Sequence, residues 1–316
     1  MDQIATESLP ATDAGIDRAA QVLRDGGLVA FPSETVYGLG GDAGNGTAVA
    51  RIYQAKGRPS FNPLIVHVAD TDMARRYVEW SDMAERLAAA FWPGPLTLVL
   101  PLREGAEVSD LVTAGLPSLA VRMPAHDVAR RLVARFGSGI AGPSANPSGK
   151  ISPTTAAHVL AGLSGRIEAV LDGGTCGVGL ESTIIGLVDG PVLLRPGGLA
   201  VEEIEAVLGQ PLRHDTTPGK VQAPGQLSSH YAPGAAVRLN ATDWRAGELR
   251  LGFGPVDCDL NLSATGDLVE AAANLFGHLH ALDAMPGDVI AVSPIPDQGL
   301  GIAINDRLRR AAAPRT

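Results

Sequence analysis

Lys56 and Arg58 stand two residues apart in KGRPSFNPLIVHV (56–68), ahead of three turn-forming residues and a short apolar run. Lysine is scarce here: Lys56, Lys150 and Lys220 stand beside 22 arginines. Cations suit the last turn of a helix, but an Arg fork beside a Lys point charge is equally suited to gripping phosphate. These residues alone leave both readings open. Four other segments combine turn formers with hydroxyls or charge: PSETVYGLGGD (32–42), Ser118 and Arg122 around LAVRMP, GPSANPSGKISPT (142–154), and LESTIIG with LLRPGG (180–198). Backbone N–H groups of such Gly- and Ser-rich turns can cradle anions. Taken singly, each side chain has a structural explanation. His67 in IVHV could be a satisfied core histidine, and Thr35 a cap hydroxyl. Glu34 and Glu181, beside Ser or Thr, could be capping carboxylates, and Arg122 and Arg195 rim charges. Their recurrence in one region is what points to a small-molecule anion site.

GPSANPSGKIS is not a P-loop. Six residues separate Gly142 from the Gly149-Lys150 pair, and Ile151 stands where Ser or Thr is required. It is also a poor nucleophile elbow, because Asn146 replaces the closing Gly and Pro143 and Pro147 would distort the turn.

The elements that must position these residues alternate. Ile16, Ala19, Ala20 and Leu23 have helical spacing, predicting a helix over 14–25 that Gly26-Gly27 ends. LVAFP (28–32) reads as a short buried strand. The same logic predicts helices over 47–56, 82–91, 126–136 and 201–208, and strands over 64–68, 96–101, 118–123 and 167–171. A hairpin over 182–195 should turn on Asp189-Gly190. Helices interleaved with short apolar strands predict an α/β sheet covered by helices, and most of the polar segments fall at its strand ends, where ligands bind. Residues 214–234, rich in proline and poor in large apolar groups, read as a linker. Residues 235–316 resume the pattern, with strands near 235–239, 248–253 and 287–292 and helices near 267–282 and 302–313. The expected division is therefore a catalytic domain at 1–213, a linker at 214–234 and a small α/β domain at 235–316.

At 45% hydrophobic and 19% charged residues, the chain can bury a sizeable core. The net charge of −9 and the absence of a basic stripe argue against tight nucleic-acid binding. Cys176 and Cys258 form no CxxC or Cys/His cluster, so neither a disulfide framework nor a zinc site is expected. The acidic, polar N-terminus lacks signal-peptide features, and no apolar run is long enough to span a bilayer. A soluble, cytoplasmic protein without membrane partners is expected.

FPSETVYGLGGD, KGRPSFNPLIVHV, FWPGPLTLVL, LAVRMPAH, PSANPSGKISPT, GLESTIIGL and LLRPGGL occur in an order that resembles the YrdC-type L-threonylcarbamoyladenylate synthases. The likeness covers about residues 15–208, with KxR and SxN signatures at Lys56/Arg58 and Ser144/Asn146. APGQLSSHYAP and the tail GLGIAINDRLRRAA (299–312) resemble the longer, two-domain branch of that family. The resemblance implies a YrdC-like twisted sheet with helices and a concave ligand cavity, plus a smaller C-terminal α/β, Rossmann-like domain. It implies that L-threonine, bicarbonate or CO2, and ATP with Mg2+ give threonylcarbamoyl-AMP and pyrophosphate. The product would feed the downstream machinery that transfers the threonylcarbamoyl group to tRNA.

By the same resemblance, threonine would be held by Thr35, His67, Arg122, Gly142 and Ser182. ATP would be held by Arg58, Asn62, Ser118, Ser144, Ser152, Arg195 and Tyr231. Lys56, paired with Arg58 as a catalytic cation, would add charge near the phosphates or the carbamate. Tyr231 would make the linker a lid over the pocket. No carboxylate can be assigned to Mg2+, and the second domain would be a scaffold or regulator. Three positions depart from the family pattern: Ser33 for Thr, Gly186 for an acidic residue, and Gln226 for Met. The alternatives are an RNA-binding YrdC-like module and a carbamoyl transferase; the latter usually carries acylphosphatase-like and zinc-finger segments that this chain lacks.

Overall fold

The computed structural model describes residues 4–214 and 230–314. The larger unit runs β1 (Glu7–Pro10), α1 (Asp13–Arg24), β2 (Val29–Phe31), β3 (Gly38–Asp42), α2 (Gly46–Lys56), β4 (Ile65–His67), α3 (Thr71–Tyr77), α4 (Asp82–Phe91), β5 (Leu96–Pro101), α5 (Asp110–Thr113), β6 (Ser118–Arg122), α6 (Asp127–Phe136), β7 (Ile140–Ala141), α7 (Ala156–Leu163), β8 (Ala169–Asp172), β9 (Thr183–Gly186), β10 (Val192–Arg195), α8 (Val201–Leu208) and β11 (Arg213–His214). Its 11 strands form one mixed sheet in the order β1-β8-β2-β3-β7-β4-β6-β5-β9-β10-β11. The smaller unit contains β12 (Ala236–Arg238), β13 (Leu249–Gly252), β14 (Leu260–Asn261), α9 (Leu268–Asp283), β15 (Val289–Val292) and α10 (Leu300–Ala311). Its four strands are all parallel, in the order β12-β15-β13-β14.

Each helix expected from sequence is present within two residues of its expected ends. Local chemistry fixes several boundaries. Asn45 caps α2 by accepting from the backbone N–H of Thr47 and Ala48, and Gly57, left-handed at φ 62, terminates it. The 182–195 hairpin also forms, with β9 antiparallel to β10. The structure adds elements that the periodicity does not reveal. β3 reads GLGGD, with no β-forming pattern, because the glycines are required by packing. A Cβ at Gly38 would lie 2.9 Å from the Phe31 ring, and one at Gly40 would lie 2.9 Å from Ile140. β1 lies in the acidic N-terminal stretch and pairs in parallel with β8.

Two large cores result. One fills the space between the main sheet and its helices. The other belongs mostly to the smaller unit but also takes in Val36, Ile151, Leu180 and Tyr231, so the two units share apolar contact. A third, small cluster of Ile65, Val99, Ala120, Ile184 and Leu194 lies on the main sheet. The expected linker and lid, including Lys220 and Gln226, lie largely outside the described residues. His230 and Tyr231 are described and are buried. Among the described residues no helix is long and apolar enough to cross a membrane.

Candidate active site

The register between β4 and β6 organises the site. These strands run parallel, with Ile65 opposite Ala120 and His67 opposite Arg122. Side chains alternate along a strand, so Ile65, His67, Ala120 and Arg122 share one face. A cavity opens on that face, lined among others by Thr35, Arg58, His67, Arg122, Gly142, Ser144, Glu181, Ser182, Arg195 and Tyr231. Nine of the residues expected for threonine or ATP thus lie around a single cavity.

Arg122 is buried and held on three sides. Its Nε donates to the carbonyl of Gly94 (3.2 Å), Nη1 to Thr35 Oγ1 (2.9 Å) and Nη2 to Glu34 Oε1 (2.6 Å). Those bonds use three of the five guanidinium donors, leaving a fork for a ligand carboxylate. Glu34 also accepts from the backbone N–H of Ala125 (3.0 Å), so it orients Arg122 rather than capping a helix. Ser33 Oγ sits 2.8 Å from Thr35 Oγ1 and donates to the carbonyl of Val36 (2.6 Å). The departure from Thr at that position therefore keeps the hydroxyl where Thr35 needs it.

His67 is buried beside Phe31, edge to face at 5.3 Å, and its Nδ1 has no partner. Gly142 lets this ring in: a Cβ there would lie 3.1 Å from Nδ1. Burial first, and Arg122 second, push His67 down to about 3, so the ring is neutral at ordinary pH. Burial also pushes His230 down to about 3 and, with His280 adding to it, His158 down to about 4. Unfolded histidines titrate near 6.5. Below that value the unfolded chain takes up protons that the folded chain refuses. Stability should therefore be intact above about pH 6.5 and fall steadily as pH drops toward 4. Thermal unfolding at pH 7 and pH 5 should show the loss, and His67→Asn should reduce its pH dependence.

Gly57 answers the question raised by Lys56 and Arg58. Its left-handed turn sends the two side chains to different places. Arg58 lines the cavity, with Nη2 donating to the carbonyl of Pro63 (3.0 Å) and Nε to that of Asn62 (3.3 Å). Burial pushes its guanidinium down to about 10. Lys56 instead turns away. Its Nζ donates to the carbonyls of Ser144 and Asn146 and lies 3.5 Å from Asn146 Oδ1. Burial, with Arg58 nearby, lowers its pKa well below the usual range. Lys56 thus props the SxN loop, and its Nζ faces protein oxygens rather than the cavity.

Arg195 donates to the carbonyl of Ser182 through Nη2 (2.9 Å) and lies 3.3 Å from its hydroxyl, which itself sits 2.7 Å from Thr97 Oγ1. Asn62 and Ser118 are not in the cavity wall; they precede β4 and open β6, at the opposite end of those strands from His67 and Arg122. Both side-chain polar atoms of Asn62 are buried without a partner. Ser152 lies behind the wall and donates to Glu181 Oε1 (2.5 Å). Tyr231 has a positive φ of 63°, a strained conformation for a bulky residue, and packs on His230 and Phe276.

Sequence reasoning read Glu181 as a possible capping carboxylate and gave Arg307 no role. Glu181 lines the cavity, and Arg307 of α10 donates to its Oε2 at 2.8 Å. The only local sign was an acidic residue beside Ser182; nothing local marks Arg307.

Residues 21–197 match the Sua5/YciO/YrdC family, described as telomere recombination, and residues 199–313 match the threonylcarbamoyl-AMP synthase C-terminal domain. A threonylcarbamoyl-AMP synthase of Pyrococcus abyssi is 45% identical over 321 residues, 94% of each chain. One from Bacillus subtilis is 42% identical over 335 residues, 98% of this chain and 96% of that one. The crystal structure of P. abyssi Sua5 complexed with L-threonine superposes with a TM-score of 0.89 at 41% identity, covering 97% of both chains. Full-length similarity of this order, across both units, establishes that the chain belongs to the threonylcarbamoyl-AMP synthase family.

Proposed function

We propose that this protein converts L-threonine, bicarbonate or CO2, and ATP into threonylcarbamoyl-AMP and pyrophosphate, supplying the machinery that modifies tRNA. The observation that carries this reading is the β4–β6 register. It sets His67 beside Arg122, which donates to Thr35 Oγ1, at one end of a sheet face; Ser118 opens β6 at the other end, with Asn62 just before β4. Four residue steps of strand separate Ser118 from Arg122, roughly 13 Å.

The Arg122 fork takes the threonine carboxylate, two oxygens against two donors. The amine attacks CO2, forming the N–C bond of the carbamate and releasing a proton. A carbamate oxygen then attacks the α-phosphorus in line, and pyrophosphate leaves with the electrons of the broken P–O bond. Arg58 and Arg195 offset phosphate charge as it shifts to the leaving group. Positioning supplies most of the rest. Neutral His67 hydrogen-bonds the threonine without repelling Arg122, and Tyr231, with His230, walls water away from the carbamate.

Mg2+ enters with ATP. Among the described residues no cluster of three His, Cys, Asp or Glu side chains could hold a metal, and Glu181 is engaged by Ser152 and Arg307. The triphosphate oxygens would supply most of its ligands.

Pyrophosphate release should require both L-threonine and bicarbonate, with threonylcarbamoyl-AMP detected by mass. Equal release without threonine would remove the assignment. An RNA-binding module would instead show duplex-RNA affinity falling steeply between two salt concentrations.

A further inference from the structure

We propose that Arg307, carried on α10 of the smaller unit, is a positioning residue for the ATP half of the site and acts through Glu181. This inference rests on the synthase reading above.

Arg307 is fully buried. Its Nε donates to Glu181 Oε2 and its Nη1 to Asp306 Oδ2, both at 2.8 Å. The guanidinium carbon lies 5.2 Å from the centroid of the Tyr231 ring, a cation–π distance. One side chain thus reaches from the smaller unit to the cavity carboxylate and to an aromatic ring of the cavity lining. Glu181 bridges onward, its other oxygen accepting from Ser152 Oγ at 2.5 Å. Nearby, His280 Nε2 lies 3.2 Å from the Ser152 carbonyl oxygen, and His280 stacks on His158 at 3.8 Å. The loop carrying Ser152 is therefore held from α9 as well as through α10.

Electrostatics say why Arg307 is needed. A triphosphate must enter a cavity whose cations include Arg58 and Arg195, yet the wall contains a buried carboxylate. Unpaired, Glu181 would compete for those cations and repel the phosphates. Arg307 cancels that field and fixes the carboxylate so that Ser152 keeps its place. Burial works against an ionised Glu181, but Arg307 and Arg195 outweigh it and hold its pKa below the usual range. Among the described residues, Arg122, His67 and Thr35 form no hydrogen bond with either Glu181 or Arg307, so the threonine half should be spared.

The test compares wild type, Arg307→Met and the Arg307→Met/Glu181→Gln double variant. Calorimetry would measure binding of a non-hydrolysable ATP analogue with Mg2+, and separately of L-threonine. Arg307→Met should weaken the ATP analogue about tenfold or more, equivalent to ~1.4 kcal/mol, and leave threonine within about twofold. The double variant, which strands no charge, should recover most of that loss. Equal weakening of both ligands, or no recovery in the double variant, would mean that Arg307 only joins the two units and would overturn the proposal. If Arg307→Met does not fold, Arg307→Lys keeps the charge without the fork. It should show the same ATP-selective loss in smaller measure, and loss of both ligands together would again refute the role. Wild-type protein that binds neither ligand would overturn the synthase reading itself. Wild type binding both, with Arg307→Met equal to it for ATP, would overturn only the positioning role.

Discussion

Arg122→Ala should raise the KM for L-threonine by about 10- to 150-fold while changing the KM for ATP far less. That range corresponds to one lost charge-assisted hydrogen bond, worth ~1.5–3 kcal/mol. The loss should lie toward the upper end of that range, because Arg122 also supports its neighbours. Its removal leaves Glu34, 2.6 Å away and mostly buried, without its cation, and a buried carboxylate left unpaired can cost ~3–5 kcal/mol. Thr35 loses a donor at the same time. Arg122→Lys should fall between the two, since it restores charge but not the fork. Initial-rate measurements of pyrophosphate release at varied threonine would decide the matter. An unchanged threonine KM in Arg122→Ala would take this residue out of the binding site.

Lys56→Ala and Arg58→Ala should fail in different ways despite their adjacency. Lys56 holds two buried carbonyls of the SxN loop, and stranding a buried acceptor costs ~1–3 kcal/mol. Lys56→Ala should therefore lower folding stability by roughly 2–6 kcal/mol and lose activity because the loop carrying Ser144 is no longer fixed. Arg58→Ala should keep most of the stability and raise the KM for ATP by about 10- to 150-fold. Chemical denaturation beside initial-rate kinetics separates the two effects. A fully stable, ATP-defective Lys56→Ala would return Lys56 to the role of a phosphate ligand.

This pair also shows how far local information reaches. The sequence placed Lys56 at a helix end and Gly57 at its terminus, because helical spacing and a left-handed glycine are signals within one turn of chain. It could not say which way each cation points after that turn. The direction is decided by the carbonyls of Ser144 and Asn146, some 90 residues away, and by those of Asn62 and Pro63.

The same division holds across the molecule. Alternating apolar runs and caps determined the α/β class, most helices and strands, and the 182–195 hairpin. The order of the motifs determined the family and the grouping of candidate residues. Only the tertiary structure decided that GLGGD is a central strand, because its glycines answer to the bulk of Phe31 and Ile140 rather than to any periodicity of their own. Only it set His67 opposite Arg122, a register fixed by pairing between distant strands. And only it carried Arg307 from the last helix to Glu181, 126 residues back along the chain. Propensity and capping act over a few residues, so the chain states them locally. The partner of a buried charge is chosen by packing and desolvation over the whole fold, and no short stretch of sequence records that choice.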